Sequence, residues 1–157
     1  MLTRRVIAAD IANLTDARYF AARGVDYLMF DLSHITLERL LEIKEWVEGP
    51  AAILLVDEST LDLIEEAILR VSPVAIVCKS PHTIGELQHY QAHVEVAHMP
   101  SDHVEVGDQI FRSVTTLDGL ASLDSQDGII ITGGDEEEVG VKDFDILDSI
   151  FDELEED

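Results

Sequence analysis

Residues 6–31 read Val-Ile-Ala-Ala-Asp-Ile-Ala-Asn-Leu-Thr-Asp-Ala-Arg-Tyr-Phe-Ala-Ala-Arg-Gly-Val-Asp-Tyr-Leu-Met-Phe-Asp, and this stretch decides the fold. Val6 to Ala9 is an apolar run, followed by the cap-like residues Asn13 and Thr15 and an amphipathic segment that closes at Gly24. Tyr27 to Phe30 is a second apolar run. Strand, helix and strand in that order make a βαβ unit, whose parallel strands are joined by a right-handed crossover. A site can then form where the first strand ends.

The rhythm continues beyond this unit. Thr36 opens a helix with Leu37, Leu40, Leu41, Ile43 and Val47 along one face, and Gly49-Pro50 ends it. Ala51 to Val56 is a continuous apolar run ending at Asp57, as expected of a strand buried on both faces. Ser59-Thr60-Leu61-Asp62 has the form of a capping box for a helix carrying Leu61, Ile64, Ile68 and Leu69, and Val74 to Val77 follows as the next strand. Ser80-Pro81 starts a turn, Thr83-Ile84-Gly85-Glu86 has cap spacing for a short helix to about Ala92, and Val94 to Met99 reads as the fifth strand. From Pro100 to Asp108 the pattern breaks into what reads as a polar, acidic loop, too short for a crossover helix.

Ile110 to Val114 and Gly128 to Thr132 read as the sixth and seventh strands, with a short segment capped by Thr116 between them. Gly133-Gly134, an acidic run from Asp135 to Glu138 and a last helix with Ile146, Leu147, Ile150, Phe151 and Leu154 complete the chain. The expectation is one α/β domain over residues 1–157. It is a reduced TIM-type (β/α) barrel or an open parallel βα sheet, with about seven strands. The 157 residues fall short of the roughly 200–250 that eight complete βα units take.

Thirty-three acidic residues face ten Lys plus Arg, for a formal charge of -23, and the lysines are Lys44, Lys79 and Lys142. Such a surface repels phosphate backbones and anionic lipid, so neither nucleic acid nor membrane is an expected partner. No apolar run reaches the length of a membrane span, and Met-Leu-Thr-Arg-Arg leads into a strand without a signal-peptide pattern, so the expected location is the cytoplasm. Acid-rich, lysine-poor composition also suits a salt-loaded cytoplasm, where screening relieves self-repulsion. One cysteine, Cys78, excludes an internal disulfide and reads as a small buried apolar residue of a strand. His89 and His93 have the i, i+4 spacing of zinc ligands, but read better as a solvated helix end, and no metal or cofactor is expected. Phe20 and Trp46 read as packing residues of amphipathic helices.

Ile11, Asn13, Leu14, Asp16 and Ala17, with the Gly24-Val25-Asp26 turn behind them, resemble the N-terminal signature of phosphoribosylanthranilate isomerase, a (β/α)8 barrel enzyme of tryptophan biosynthesis. Gly-Val-Lys-Asp at 140–143 resembles that family's closing segment, and Gly133-Gly134 resembles the glycine pair after its seventh strand. The resemblance implies an Amadori rearrangement of a phosphorylated aminosugar. That reaction needs an acid to open the ribose ring and a base to take the C2 proton. In the family the base is a cysteine ending the first strand, within Cys-Gly-Ile-Thr, and the acid is an aspartate ending the sixth. Here Ala9-Asp10-Ile11-Ala12 occupies the first position, and Ile-Phe-Arg-Ser-Val-Thr at 110–115 offers no carboxylate at the second. Ser33-His34-Ile35 stands where the family has Ser-Pro-Arg.

In a (β/α) barrel the chemistry lies just past the apolar runs. That rule selects Asp10, Asp31, Asp57, Lys79, His98, Thr115 and Thr132 with Gly133-Gly134. Asp10, Asp57, Lys79 and His98 are the candidate acid–base residues, and Asp31, Gly133 and Gly134 the candidate substrate-binding ones, the glycines through N–H groups turned to a phosphate. With alanine at the cysteine position, the expected function is that of a diverged binding or scaffold protein without isomerase activity. The alternative is an active isomerase, or a related enzyme on a phosphorylated sugar, with Asp10 or another strand-end carboxylate as base. The expected partners are a phosphorylated small molecule and a second copy of the chain, since a missing crossover helix near residues 101–108 leaves sheet edges uncovered.

Overall fold

The computed structural model describes residues 2–92, 94–99, 103–124, 126–133 and 144–155. The opening unit forms as its sequence dictates. β1 (Val6–Ala9) leads to α1 (Leu14–Ala22), whose cap Asn13 accepts a hydrogen bond from the Asp16 amide at 2.8 Å, and Gly24 turns the chain at φ +84° into β2 (Tyr27–Asp31). Thr36 caps α2 (Leu37–Trp46) in the same way, accepting from the Arg39 amide at 3.2 Å. Then follow β3 (Ala51–Val56), α3 (Ile64–Val71), β4 (Ala75–Cys78), α4 (Pro81–Leu87) and β5 (Glu95–His98). The chain continues through β6 (His103–Val106), β7 (Gln109–Ser113), α5 (Leu117–Ala121), β8 (Gly128–Thr132) and α6 (Asp145–Leu154).

The eight strands of the described residues belong to one sheet, in the order β5-β4-β3-β2-β1-β8-β7-β6. Every pairing is parallel except β6 with β7. The two end strands approach each other, and the Gly107 amide donates to Glu95 Oε1 at 2.7 Å across the seam. The result is a nearly closed barrel of the TIM type, with one strand more than expected.

The extra strand is the segment taken for a loop. His103, Val104, Glu105 and Val106 alternate, with both valines buried, and pair antiparallel to Arg112, Phe111, Ile110 and Gln109. Gly107 at φ +63° makes a turn only two residues long possible. A hairpin thus stands where a βα unit would be, and it needs no crossover helix.

Other departures are local. The capping box lies two residues upstream of the expected one. Asp57 caps a 3-10 turn over Glu58–Leu63, accepting from the Ser59 amide at 2.9 Å while its own amide donates to Thr60 Oγ1 at 3.0 Å. α4 begins at Pro81, where a fixed φ suits a first helical turn, rather than at Thr83. Phe20 is fully buried, whereas Trp46 is 66% exposed because α2 ends there and its ring lies beyond the covered face. Gly133 follows β8, the eighth strand among the described residues, not the seventh. His93, Gly134, the acidic run and Gly140 to Asp143 lie outside the described residues.

Strand periodicity divides the core in two. Ile7, Met29, Ile53, Val77, Phe111 and Ile130 fill the barrel interior, and Ala9 belongs to this set. Val6, Phe30, Leu54, Cys78 and Ile131 point the other way, against Phe20, Leu40, Ile43 and Phe151 of the helices. At the ends of the chain, α6 is clasped to α1. Tyr19 Oη donates to Asp148 Oδ1 at 2.6 Å, and Arg23 pairs with Asp152 at 2.9 Å. Burial and the Asp148 carboxylate raise the Tyr19 pKa, so the phenol stays a donor at every ordinary pH.

Candidate functional site

Side chains two positions beyond inward-facing residues continue inward at the barrel mouth. Met29 precedes Asp31, Leu55 precedes Asp57 and Val77 precedes Lys79, so three consecutive strands deliver a carboxylate, a carboxylate and an ammonium to one end. Asp10 arrives by another route. At φ +54° it takes a left-handed conformation that glycine adopts freely and an L side chain adopts at a cost on the order of 1 kcal/mol. His34 and Ser33 come from the turn after β2, which Asp31 itself organises by accepting from the Ser33 amide at 2.9 Å.

These groups form one continuous network over β1 to β4. Lys79 Nζ lies 2.6 Å from Asp31 Oδ2 and 3.8 Å from Asp57 Oδ2, and donates to Ser33 Oγ at 3.0 Å. Ser33 Oγ donates to Asp31 Oδ1 at 2.6 Å. His34 Nδ1 lies 2.9 Å from Asp10 Oδ1 and 3.3 Å from Asp31 Oδ2.

The electrostatics follow from burial and partners. Burial, which alone would raise the pKa of Asp31, is outweighed by hydrogen bonds from Lys79 and Ser33 that hold it below the usual carboxylate range. The bond to Asp10 and the charges of Asp31 and Asp10 push His34 up. The Ser59 hydrogen bond holds Asp57 down. As arranged, the mouth presents an ammonium and an imidazole side by side on one carboxylate, and the imidazole can take or give a proton.

The expected residues therefore divide. Asp10, Asp31, Asp57 and Lys79 are brought together, with Asp31 serving beneath as a buried anchor at 3% exposure. His98 does not join them. It shares the outward series of Val96, pairs with Cys78 in register, and lines a shallow surface with Glu95 and Glu105. Gly133 follows Thr132, the register partner of Ala9, and so stands beside the end of β1. Ser33 and His34 were missed as site residues because strand-end reading stops at the first polar residue. The spacing Asp31-Leu-Ser33-His34, an Asx-turn pattern, is the feature that points to them.

Among the described residues, Asp10, Asp31 and His34 place potential ligand atoms within 4.8 Å of one another. Lys79 already occupies Asp31 Oδ2, so a cation would have to displace an ammonium. Cys78 faces the helices, fully buried, with its thiol pushed up to about 11 by burial. It cannot serve the mouth.

No protein-family model matches the sequence, and no curated protein sequence matches it. Solved structures do. Phosphoribosyl anthranilate isomerase from Thermus thermophilus superposes with a TM-score of 0.73 at 14% identity, over 96% of this chain and 98% of that one. A phosphoribosyl anthranilate isomerase in complex with reduced 1-(o-carboxyphenylamino)-1-deoxyribulose 5-phosphate gives 0.65 at 13% identity, over 94% and 96%. The enzyme from Thermotoga maritima gives 0.54 at 15% identity, over 97% of this chain and 74% of that one. The fold expected from the N-terminal signature is the fold of these isomerases.

Proposed function

We propose that this protein keeps the isomerase barrel as a binding site for a small phosphorylated molecule at the C-terminal mouth and has given up the isomerase reaction. One observation carries the reading: the inward position at the end of β1 is the methyl group of Ala9, 8% exposed and part of the interior core. The single cysteine is on the far side of the sheet wall and cannot replace a base there. A phosphate fits best beside Gly133 at the end of β8, apart from Asp31 and Asp57 on β2 and β3 and with the neighbouring Asp10 carboxylate turned to His34, because a dianion and a carboxylate repel at close range. The complexed neighbour, whose ligand is a sugar 5-phosphate, supports that class of ligand.

Expression in a tryptophan auxotroph lacking its isomerase tests the reading. No growth is expected, and growth equal to that given by an authentic isomerase overturns it. The alternative, an active enzyme with a strand-end carboxylate as base, has the His34–Asp10 pair in its favour. It predicts growth that Asp10→Asn abolishes. Among the described residues no helix is long and apolar enough to cross a membrane, consistent with a cytoplasmic protein. Among the described residues no helix follows β5 before β6, and the outer face of β6 is the surface on which a second copy would pair. Light scattering at tens of micromolar is expected to give a dimer, and a monomer removes that part of the reading.

A further inference from the structure

Resting on the reading of the mouth as a small-molecule site, we propose that His34 is its proton-transfer residue. It works through Nε2 on a small α-hydroxy carbonyl ligand, with Asp10 and Asp31 as positioning residues and Lys79 holding the carbonyl oxygen. Carboxylates only accept, and two of them stand on Nδ1, at 2.9 and 3.3 Å. Nδ1 therefore keeps its hydrogen in both charge states. In the neutral ring the lone pair is on Nε2, the reverse of the tautomer that would hide it. The side chain is 57% exposed, which leaves that lone pair open to a solute.

Lys79 supplies the second half. Its ammonium and the imidazole share one oxygen, Asp31 Oδ2, so they stand side by side. Two of its hydrogens go to Asp31 and Ser33. Asp57, at 3.8 Å, lies beyond hydrogen-bond reach and leaves the third for a ligand oxygen. Beside the mouth, Ser33 and His34 also line a groove of about 410 Å³ with Leu32, Ile35, Leu63, Glu38 and Glu66, which Lys79 does not line. At the mouth itself Asp10, Asp31 and Asp57 select a reacting end without negative charge.

The step balances without a co-reactant. The C–H bond next to the carbonyl breaks, its electron pair becomes the carbon–carbon double bond of an enediolate, and the carbonyl pair moves to oxygen beside Lys79. The proton goes to His34 Nε2, giving an imidazolium that Asp10 and Asp31 stabilise, and its return to carbon regenerates the ligand. The groups facing His34 are Asp10, Asp31 and Lys79. The first two raise its pKa and the third lowers it.

Hydrogen–deuterium exchange at the carbons of dihydroxyacetone in D2O, followed by NMR, tests the assignment. The full chain is expected to exceed free imidazole at equal concentration by about 100-fold, the lower end for a positioned base. His34→Asn should reduce the rate by about 100-fold, to the background that the other five histidines give as free imidazole. Asp10→Asn should move the pH midpoint of exchange down. Long-range nitrogen–proton spectra should show the neutral ring as the Nδ1–H tautomer in the natural chain and a shift toward Nε2–H in Asp10→Asn. Exchange no faster than with His34→Asn, or a neutral ring protonated on Nε2 in the natural chain, overturns the assignment while leaving the loss of isomerase activity standing. Growth of the auxotroph overturns that loss and leaves the exchange result untouched.

Discussion

Asp31 is a carboxylate with 3% of its surface exposed, and Lys79 and Ser33 satisfy it from two sides. Lys79→Met would leave that charge buried without its cation. We expect a loss of about 2–3 kcal/mol at pH 7 by urea denaturation, below the range for breaking a fully buried pair because Lys79 is itself partly exposed. The pH dependence has a definite sign. The pKa of Asp31 is lowered on folding, so its contribution is present above the unfolded value, near 4, and disappears as pH falls through the folded value. The gap between the natural chain and Lys79→Met should close in acid, and a gap that widens there refutes the account. His34 has the opposite sign. Its raised pKa gives stability that is complete below the unfolded value, near 6.5, and is lost as pH rises through the folded one. The gathering of Asp10, Asp57 and Lys79 at the mouth was legible because the inward series ends on two of them and the first strand on the third. Ser33 and His34 were not, because side-chain direction beyond a strand end follows turn geometry rather than periodicity.

Among the elements, β8 shows how closely the interior is filled. Gly128 faces inward, and a methyl group there would come within 2.5 Å of Phe111 Cδ1 and 3.0 Å of the Arg5 carbonyl oxygen. Gly128→Ala should therefore destabilise by about 1–3 kcal/mol, as other overpacked cores do, with much of the loss recovered in the double variant with Phe111→Leu. Thermal denaturation of the three variants decides it. Additive losses would mean the ring is not what the methyl meets. β6, and with it the hairpin to β7, escaped the sequence reading because four residues between acidic and polar neighbours gave too short an alternation. Val104 and Val106 gain meaning only when Phe111 and Ile130 are seen on the same inner face.

For the whole molecule the dominant quantity is the charge of -23 on 157 residues. Like charges on a compact body repel, and salt shortens the reach of that repulsion from tens of ångströms toward about 3 Å at 1 M. The melting temperature is accordingly expected to rise by several degrees between low salt and molar KCl, and a melt indifferent to salt would remove the expectation. The alternation of strands and helices, the caps at Asn13 and Thr36 and the alanine at the end of the first strand are all present in the order of residues alone. Periodicity, capping and residue identity are local properties that any short window displays. Only the folded chain brought out β6, the outward placement of His98 and the sharing of Asp31 between His34 and Lys79. These depend on which face of a curved sheet a side chain meets, and that is settled only when distant strands close on one another.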